Sequence, residues 1–389
     1  MLPLFYVISH YSNLPFRAWE QRKFIEIINR LSKTSNSSIL PKVEYEDIIA
    51  EEGRLNKDIS NKFDSRKGIL FQPKNILYGK LRPYLKNWLY PDFKGVAVGD
   101  FWVFEAIEAT PRFIYNLIQS DSYQKVANDT AGTKMPRSDW TKVSNSSFFI
   151  PKESSEQKRI GTFFKQLDDT IALHQRKLDT LKQMKKGLLQ QMFPKSEEDV
   201  PKIRFADFDE EWYQRKLGEE FEKINERNDG SFGKTHWISV AKMYFVEPNK
   251  VLSNNIDTRT YVMRKGDIAF EGHSNTDFKF GRFVANDIGP GIVSELFPVY
   301  RHKTNYDNNY WKNAIQLEHI MAPIYSKSIT SSGNSSNKLD SKHFLNQKIY
   351  IADFEEQEKI GSIFKQLDNT IILYQNKLNK FDILKKAYL

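Results

Sequence analysis

Eight basic side chains lie where the sequence predicts loops, and their types and positions suit contact with a polyanion. Four of them flank a predicted strand and loop in the first half of the chain, and four do so in the second half. Arginine forks fit the edges of guanine, while lysines and neighbouring backbone N–H groups fit phosphate oxygens. The alternative for each is an exposed cation without a specific partner. The predicted nucleic-acid contacts are Lys80, Arg82, Lys134, Arg137, Lys279, Arg282, Lys338 and Lys342.

Residue types that enzymes use are present, but their spacing does not predict catalysis. Gly233-Lys234-Thr235 is similar to the end of a phosphate-binding loop, yet Asn228 stands where that loop needs its first glycine. Pro91-Asp92 lacks the Asp/Glu-x-Lys of a nuclease core, and His174 fits a packed helix position better than a general base. An Asn-Pro-Pro-aromatic tetrad, a glycine-rich loop for S-adenosylmethionine and metal-ligand spacing among the seven histidines are all missing from the sequence. The sequence therefore predicts no catalytic residue, no cofactor site and no metal site in this chain.

Composition limits the class of protein further. The 389 residues include no cysteine, which excludes disulfides, cysteine zinc sites and thiol catalysis and favours a reducing cytoplasm. The apolar start at residues 1–8 lacks a basic region, so we expect neither a signal peptide nor a membrane anchor. The net charge is +9. Such a charge indicates either a solvated positive surface or a polyanionic partner, most often nucleic acid.

One segment of the sequence occurs twice. Residues 156–178 and 356–378 are identical at fifteen of twenty-three positions, and both place apolar residues at alternating spacings of four and three. This heptad pattern predicts a coiled-coil seam that His174, Lys185, Tyr374 and Lys385 interrupt at matching places. The predicted seam residues are Ile160, Phe164, Leu167, Ile171, Leu178, Leu181, Ile360, Phe364, Leu367, Ile371, Leu378 and Phe381.

The first copy predicts a helix from about Ser155 to Phe193, capped by Ser154 or Ser155 and stopped by Pro194. A long helix with one apolar stripe requires a partner, and antiparallel pairing of the two copies within one chain is the simplest arrangement. The alternatives are that each helix packs on its own domain or that the helices pair between chains.

The repeat extends beyond the helices. Trp19–Phe24 corresponds to Trp212–Leu217, and the predicted strand Asn75–Tyr78 corresponds to Asp267–Phe270. Strands are also predicted at Phe148–Pro151 and Ile349–Ala352, each preceded by a loop that contains Gly132 or Gly333. The predicted fold class is α/β (α+β), with two globules, named here the first and second head, each followed by a long helix. The predicted boundaries are 1–150, 151–194, 195–352 and 353–389, with a linker at 195–201.

The frame repeats, whereas residues 75–141 and 267–341 of the two heads diverge. Divergent heads on a repeated frame can hold two different recognition surfaces at a fixed separation. A regular, linear, double-stranded target suits that geometry, and the basic charge favours DNA.

At this point the chain closely resembles the specificity subunits of type I restriction–modification systems. The resemblance covers nearly the whole chain, and its most specific parts are E-Q-x-x-I-G-x-x-F-K-Q-L-D-x-T-I, present twice, and W-x-Q-R-K at the entry to each head. The segment Tyr78–Pro83 is also similar to one found in such recognition domains. The resemblance implies two target-recognition domains in a pseudo-two-fold repeat, joined by two helices that pair antiparallel.

The same resemblance implies a function and a set of partners. Each head would read one half of a bipartite DNA site, and the helices would set the gap between the halves. Two modification methyltransferase subunits would dock on the helices, and restriction/translocase subunits would join the assembly. S-adenosylmethionine, ATP and Mg²⁺ would be held by those partners and not by this chain.

The sequence departs from a full repeat at two places. The second helix has no counterpart of Gln190–Phe193, and the first head shows no counterpart of Ile203–Phe208 beyond Pro15-Phe16. A truncated or differently started reading frame would produce this pattern. The alternative function is therefore a non-catalytic coiled-coil adaptor whose heads bind protein, or a specificity subunit without modification partners.

Overall fold

The computed structural model describes residues 19–130, 134–195, 198–252, 256, 259–332 and 336–389. The apolar start, Pro15-Phe16 and part of the predicted linker lie outside these residues. The chain forms two compact units, one of Met1–His174 with Lys377–Leu389 and one of Gln175–Asn376. Each unit contains one head with a part of each long helix.

The first head is a mixed α/β structure. Its largest sheets have the strand orders β2-β11-β8-β9 and β3-β7-β10-β4. The helices are α1 (Phe24–Ile27), α2 (Pro111–Gln119), α3 (Asp121–Ala127) and α4 (Trp140–Asn145). The strands are β1 (Trp19–Lys23), β2 (Ile28–Leu31), β3 (Thr34–Ser35), β4 (Lys42–Val43), β5 (Ile48–Ile49), β6 (Arg54–Leu55), β7 (Gly68–Phe71), β8 (Ile76–Gly79), β9 (Trp88–Leu89), β10 (Gly95–Ala97), β11 (Phe101–Ala106) and β12 (Ser147–Pro151).

The sheet β2-β11-β8-β9 is buried on both faces. Successive side chains of a strand point to opposite faces, and here both sets enter an apolar cluster. Ile76 and Tyr78 of β8 point into one apolar cluster with Phe104, whereas Leu77 points into a second cluster with Val103. Strand β8 therefore runs through the centre of the head. This position fixes where the loop that follows β8 leaves the sheet.

The second head repeats this plan with different residues. Its main sheet has the order β14-β21-β18-β19. The helices are α6 (Leu217–Glu220), α7 (Asn308–Ala314), α8 (Glu318–Ser328) and α9 (Ser341–Leu345). The strands are β13 (Tyr213–Lys216), β14 (Phe221–Ile224), β15 (Ile238–Ser239), β16 (Tyr244–Phe245), β17 (Thr260–Met263), β18 (Ile268–Glu271), β19 (Arg282–Ala285), β20 (Gly291–Ser294), β21 (Val299–His302), β22 (Ile329–Ser332), β23 (Asn337–Leu339) and β24 (Lys348–Ile351).

Each head is closed by pairing its first strand with its last. Strand β1 lies antiparallel to β12 with Trp19 opposite Pro151, and β13 lies antiparallel to β24 with Tyr213 opposite Ile351. The four strands predicted from the repeat are confirmed, with ends that differ by one residue. Each long helix begins directly after such a closing pair.

The long helices are α5 (Ser154–Gln191) and α10 (Phe354–Tyr388). The predicted cap of α5 is wrong by one residue, because Ser154 is already helical and the carbonyl of Glu153 accepts the N–H groups of Glu156 and Gln157. The predicted end at Phe193 is also late. Beyond Gln191 the chain leaves the helix, and Met192 and Phe193 enter the apolar core of the second head.

In the first unit, α5 and α10 run antiparallel. Going up α5, Phe163 contacts Tyr388 with ring centroids 6.0 Å apart, the Asp168 carboxylate lies 2.8 Å from the Lys385 ammonium, and His174 packs on Phe381 at 5.2 Å. Successive residues of α5 thus contact residues progressively earlier in α10, which is the pattern of an antiparallel pair. His174 is a packed helix residue, as predicted.

In the second unit the pairing is again antiparallel. Lys185 lies 2.5 Å from Asp368, and the ring of Phe193, just beyond α5, lies 6.0 Å from that of Phe364. The predicted seam residues are buried or half-buried in both units. The first seam residues also pack on their own heads, since Ile160 and Ile360 each contact a head core.

Candidate nucleic-acid interface

The strand before each predicted contact loop is held by the same side-chain bond in both heads. The carbonyl oxygen of the Asn75 side chain accepts the N–H of Gln72 at 2.7 Å, and the carboxylate of Asp267 accepts the N–H of Arg264 at 2.7 Å. Asp267 also accepts two bonds of 2.8 Å from Arg301, so its buried charge is paired. These bonds fix the start of β8 and of β18.

In the first head, the loop after β8 is joined to the loop before α4. The N–H of Arg82 donates to the carbonyl of Pro136 at 2.7 Å, and the N–H of Ser138 donates to the carbonyl of Lys80 at 2.9 Å. A bridge between Leu81 and Arg137 lies between these two bonds. The structure therefore brings Lys80, Arg82 and Arg137 together, as members of one cluster of loops.

Asp100 lies beside two of these cations. Its carboxylate is 3.0 Å from Arg137 and 3.7 Å from Lys80, so part of the local positive charge is neutralised. The hydroxyl of Tyr45 donates to the Asp100 carbonyl at 2.6 Å and accepts the N–H of Leu81 at 3.1 Å. Burial raises the pKa of this phenol, so the hydroxyl keeps its proton. Tyr45 thus ties the Asp100 turn to the contact loop.

Arg82 and Lys134 are the exposed, unneutralised members of the predicted set in this head, since neither has an ion pair within the described residues. Residues 131–133, which include Gly132, lie outside the described part of the chain. A cation without an internal ion pair can meet a phosphate without first giving up a carboxylate partner. These two are therefore the predicted contacts of the first head that are most available to DNA.

The backbone around Arg82 adopts an unusual conformation. Arg82 has φ +49° and Lys86 has φ +54°, and the two left-handed residues bracket the short turn Pro83–Leu85. Left-handed backbone is unfavourable for residues with a Cβ and is often found at functional sites. The turn leaves Tyr84 56% exposed. Tyr84 was not among the predicted contacts, although the sequence places it beside a proline and near two cations, Arg82 and Lys86.

The second head repeats the bond between the two loops. The N–H of Asn337 donates to the carbonyl of Gly272 at 2.9 Å, as Ser138 does to Lys80, and its side-chain amide donates to Ser274 at 3.0 Å. Lys338 is exposed directly beside this junction, while residues 333–335, with Gly333, lie outside the described part. The predicted contact Lys338 thus lies next to the residue that joins the two loops, as Arg137 does in the first head.

The other three predicted residues of the second head have different surroundings. Lys279 is exposed in the loop between β18 and β19. Lys342 is exposed in the first turn of α9, whose cap Asp340 accepts the N–H of His343 at 2.8 Å. Arg282 is different, because its guanidinium donates to the carbonyl of Ala241 at 2.5 Å and lies 4.7 Å from the ring centroid of Phe278. Arg282 therefore has a structural role inside its own head.

The motifs that were set aside as catalytic have ordinary places in the fold. Lys234–His236 form a single 3₁₀ turn before β15, whereas a phosphate-binding loop leads from a strand into a helix. Among the described residues, no three His, Asp or Glu side chains are grouped closely enough to hold a metal ion. No helix in the described ranges has the length and apolarity needed to span a bilayer.

Comparison with known families identifies the first part of the chain. Residues 18–183 match the family model described as the type I restriction modification DNA specificity domain. This part of the chain is similar to a type I DNA specificity domain. The resemblance inferred from the repeated helix motif is thereby confirmed, and the matched residues include the loop cluster around Arg82.

Solved structures show the same fold over nearly the full length. A chain of a type I R-M system, solved to explain complex assembly and conformational transition, is 16% identical, with coverage of 97% of both chains and a TM-score of 0.55. The S subunit of a type I restriction–modification system from M. genitalium is 13% identical, with coverage of 97% of this chain and 96% of that chain and a TM-score of 0.60. A comparison with curated proteins gives no significant match. The predicted fold class is confirmed by these likenesses.

Proposed function

We propose that the chain is the non-catalytic, sequence-specific DNA-binding subunit of a type I restriction–modification complex. The observation that carries the proposal is the specificity-domain match at residues 18–183, together with a second head built on the same frame. Each head reads one half of a bipartite site through the loops that follow β8 and β18. Exposed cations hold the DNA backbone there, and side chains such as Arg82 and Tyr84 meet base edges.

The repeated helices carry the second part of the proposal. They provide the docking surface for two modification methyltransferase subunits and set the gap between the two half-sites. Restriction/translocase subunits then join this core. S-adenosylmethionine, ATP and Mg²⁺ belong to the partner subunits, which supply methylation and cleavage, while this chain positions them on DNA.

The test is methylation of a plasmid library by the chain co-expressed with its modification subunit. We expect a bipartite methylated motif. Arg82→Ala should relax one half of that motif and Lys338→Ala the other half, so each variant is the control for the other. Binding should fall linearly with salt on logarithmic axes, because phosphate contacts release counterions. A salt-independent affinity, or a change in both halves from either variant, would contradict the proposal.

A further inference from the structure

A cavity of about 870 Å³ lies in the first unit, on the side of the head that contacts α5. Its walls are formed by residues 53–55, Lys74, the loop Leu89–Phe93, the start of α2 at Thr110–Arg112 and one face of α5 from Lys158 to Lys165. Cavities of this size hold drug-sized ligands or peptide segments. This place is separate from the loop cluster around Arg82.

The walls of this cavity are strongly basic. Five cations line it, namely Arg54, Lys74, Arg112, Lys158 and Lys165, against the single carboxylate of Asp92. Arg54 pairs with Glu52 and Lys165 pairs with Asp169, each at 2.5 Å. The other three cations have no ion pair in the described part of the chain.

Arg112 is the cation that most requires a ligand. Its Nε is buried without a hydrogen-bond partner, and the hydroxyl of the neighbouring Thr110 is buried without one as well. Buried polar groups are normally hydrogen-bonded, so unsatisfied groups in two residues that line a cavity indicate a missing partner. The guanidinium carbon lies 5.0 Å from the ring centroid of Tyr90 and 5.7 Å from that of Tyr115, which holds it in place.

Helix α5 presses closely on this arginine. A Cβ on Gly161 would lie 3.0 Å from both Cβ and Cγ of Arg112, so a larger residue there would require the arginine to shift by a few tenths of an ångström. Lys158 and Lys165 are three residues before and four residues after Gly161, which places both on the same face of the helix. Arg112 therefore lies against α5 between Lys158 and Lys165.

The second unit has the same frame without the same charges. The N–H of Thr110 donates to Gln157 at 2.8 Å, and the N–H of Asp307 donates to Gln357 at 3.3 Å, which aligns the two helix starts. Buried Phe113-Ile114 then match buried Tyr310-Trp311.

In this alignment Asn309 stands at the place of Arg112, and Glu358 stands at the place of Lys158. Arg112 and Lys158 are therefore not needed to join a head to its helix. These two cations are found in the first unit alone, whereas Lys165 has a counterpart in Lys365.

We propose that this cavity binds an acidic segment of a partner protein, once per chain. A carboxylate of the segment pairs with Arg112 and Lys158, and a neighbouring apolar side chain packs against Leu89 and Tyr90. Charge complementarity favours an anion, and the apolar part of the wall favours a peptide over a bare phosphate. Duplex DNA is disfavoured because a phosphate backbone has no apolar group to cover the apolar part of the wall. The inference rests on the proposed function, since the partner belongs to the restriction–modification assembly.

The test places a photo-crosslinking phenylalanine derivative at Thr162, an exposed residue of the cavity wall, in the full chain assembled with its modification subunit and duplex DNA. The matched control carries the same derivative at Ser362, which is also exposed. We expect position 162, and not position 362, to crosslink to one acidic segment of a partner protein, identified by mass spectrometry. A crosslink to DNA, equal yields at both positions, or no crosslink at 162 would overturn the proposal.

Two charge variants complete the test. Lys158→Glu and Arg112→Asn each introduce the residue of the second unit, and each should lower the crosslink yield at position 162 about tenfold, as the loss of one charge-assisted bond predicts. Lys365→Glu makes the same charge change at an exposed site of the second unit and should leave the yield unchanged. Light scattering separates the two levels of failure. Assembly with an unchanged yield in Lys158→Glu overturns only the cavity proposal, whereas failure of the wild-type chain to assemble overturns the proposed function with it.

Discussion

Replacing Arg82 by glycine should weaken DNA binding while leaving the fold as stable or making it more stable. The left-handed backbone at φ +49° costs a residue with a Cβ about 1–2 kcal/mol. Glycine removes that cost but gains about 0.5–1 kcal/mol of freedom in the unfolded chain. The net change in the free energy of unfolding should therefore lie between about 0 and 1.5 kcal/mol in favour of Arg82→Gly.

The backbone contacts of residue 82 do not depend on its side chain. Its N–H donates to Pro136 and its carbonyl accepts the N–H of Leu85 at 2.8 Å, and glycine keeps both bonds. Loss of the guanidinium should cost about 1–3 kcal/mol of binding if it contacts a base, which is roughly a 5- to 150-fold weaker affinity.

The matched control is Arg82→Ala, which removes the same guanidinium but keeps the strained backbone. Denaturant unfolding and fluorescence anisotropy with duplex DNA would be measured for both variants. We expect equal losses of affinity, with the glycine variant more stable than the alanine variant. Wild-type affinity in both would show that Arg82 does not contact DNA, and a less stable glycine variant would show that the turn is not strained.

Three further predictions concern other parts of the molecule. Burial lowers the pKa of His302 to about 3 from its ordinary 6.5, so unfolding takes up a proton as pH falls below about 6.5. The free energy of unfolding at pH 5 should therefore be about 2 kcal/mol lower than at pH 8. In denaturant titrations, His302→Phe should remove most of this loss. Glu356→Gln should destabilise by about 3–5 kcal/mol, because it breaks a buried ion pair, whereas Glu156→Gln at the more exposed equivalent site should cost under about 1 kcal/mol by the same measurement. Inserting one heptad after both Gln175 and Gln375 should lengthen the methylated gap by about three base pairs, and an unchanged gap with both half-sites read would show that the helices do not set it.

Heptad spacing made the long helices predictable from the sequence. Apolar residues at a and d positions must be buried, so the spacing of Phe164, Leu167, Phe364 and Leu367 was enough to place them in the seam. The strands of the heads were predictable for a similar reason, because the repeat gave two independent copies of each pattern. Local pattern is a good guide where burial alone determines the structure.

Contacts between distant segments could not be predicted in the same way. Nothing near Arg282 in the sequence shows that its guanidinium reaches Ala241, forty-one residues away, and is thereby held inside the head. Likewise, the pairing of Arg137 with Asp100 depends on how two loops meet in space. The basic cavity beside Arg112 combines five segments of the chain, and the sequence alone does not show that they meet. That Arg112 and Lys158 are specific to the first unit is seen only when the helix starts of the two units are aligned.

The two polar interruptions of the seam also select the direction in which the helices pair. Lys185 meets Asp368 and Lys385 meets Asp168, and these four residues are two positions of one motif repeated 200 residues apart. In an in-register parallel pair, equivalent seam positions would face each other, so Lys185 would meet Lys385 and neither lysine would reach an aspartate. The wrong polarity is thus penalised by repulsion as well as lacking the attraction of the right one. Two copies of one helix could pair in either direction on the basis of shape alone. Here one lysine and one aspartate of the repeated motif form two ion pairs when the helices are antiparallel, and this selects the antiparallel orientation.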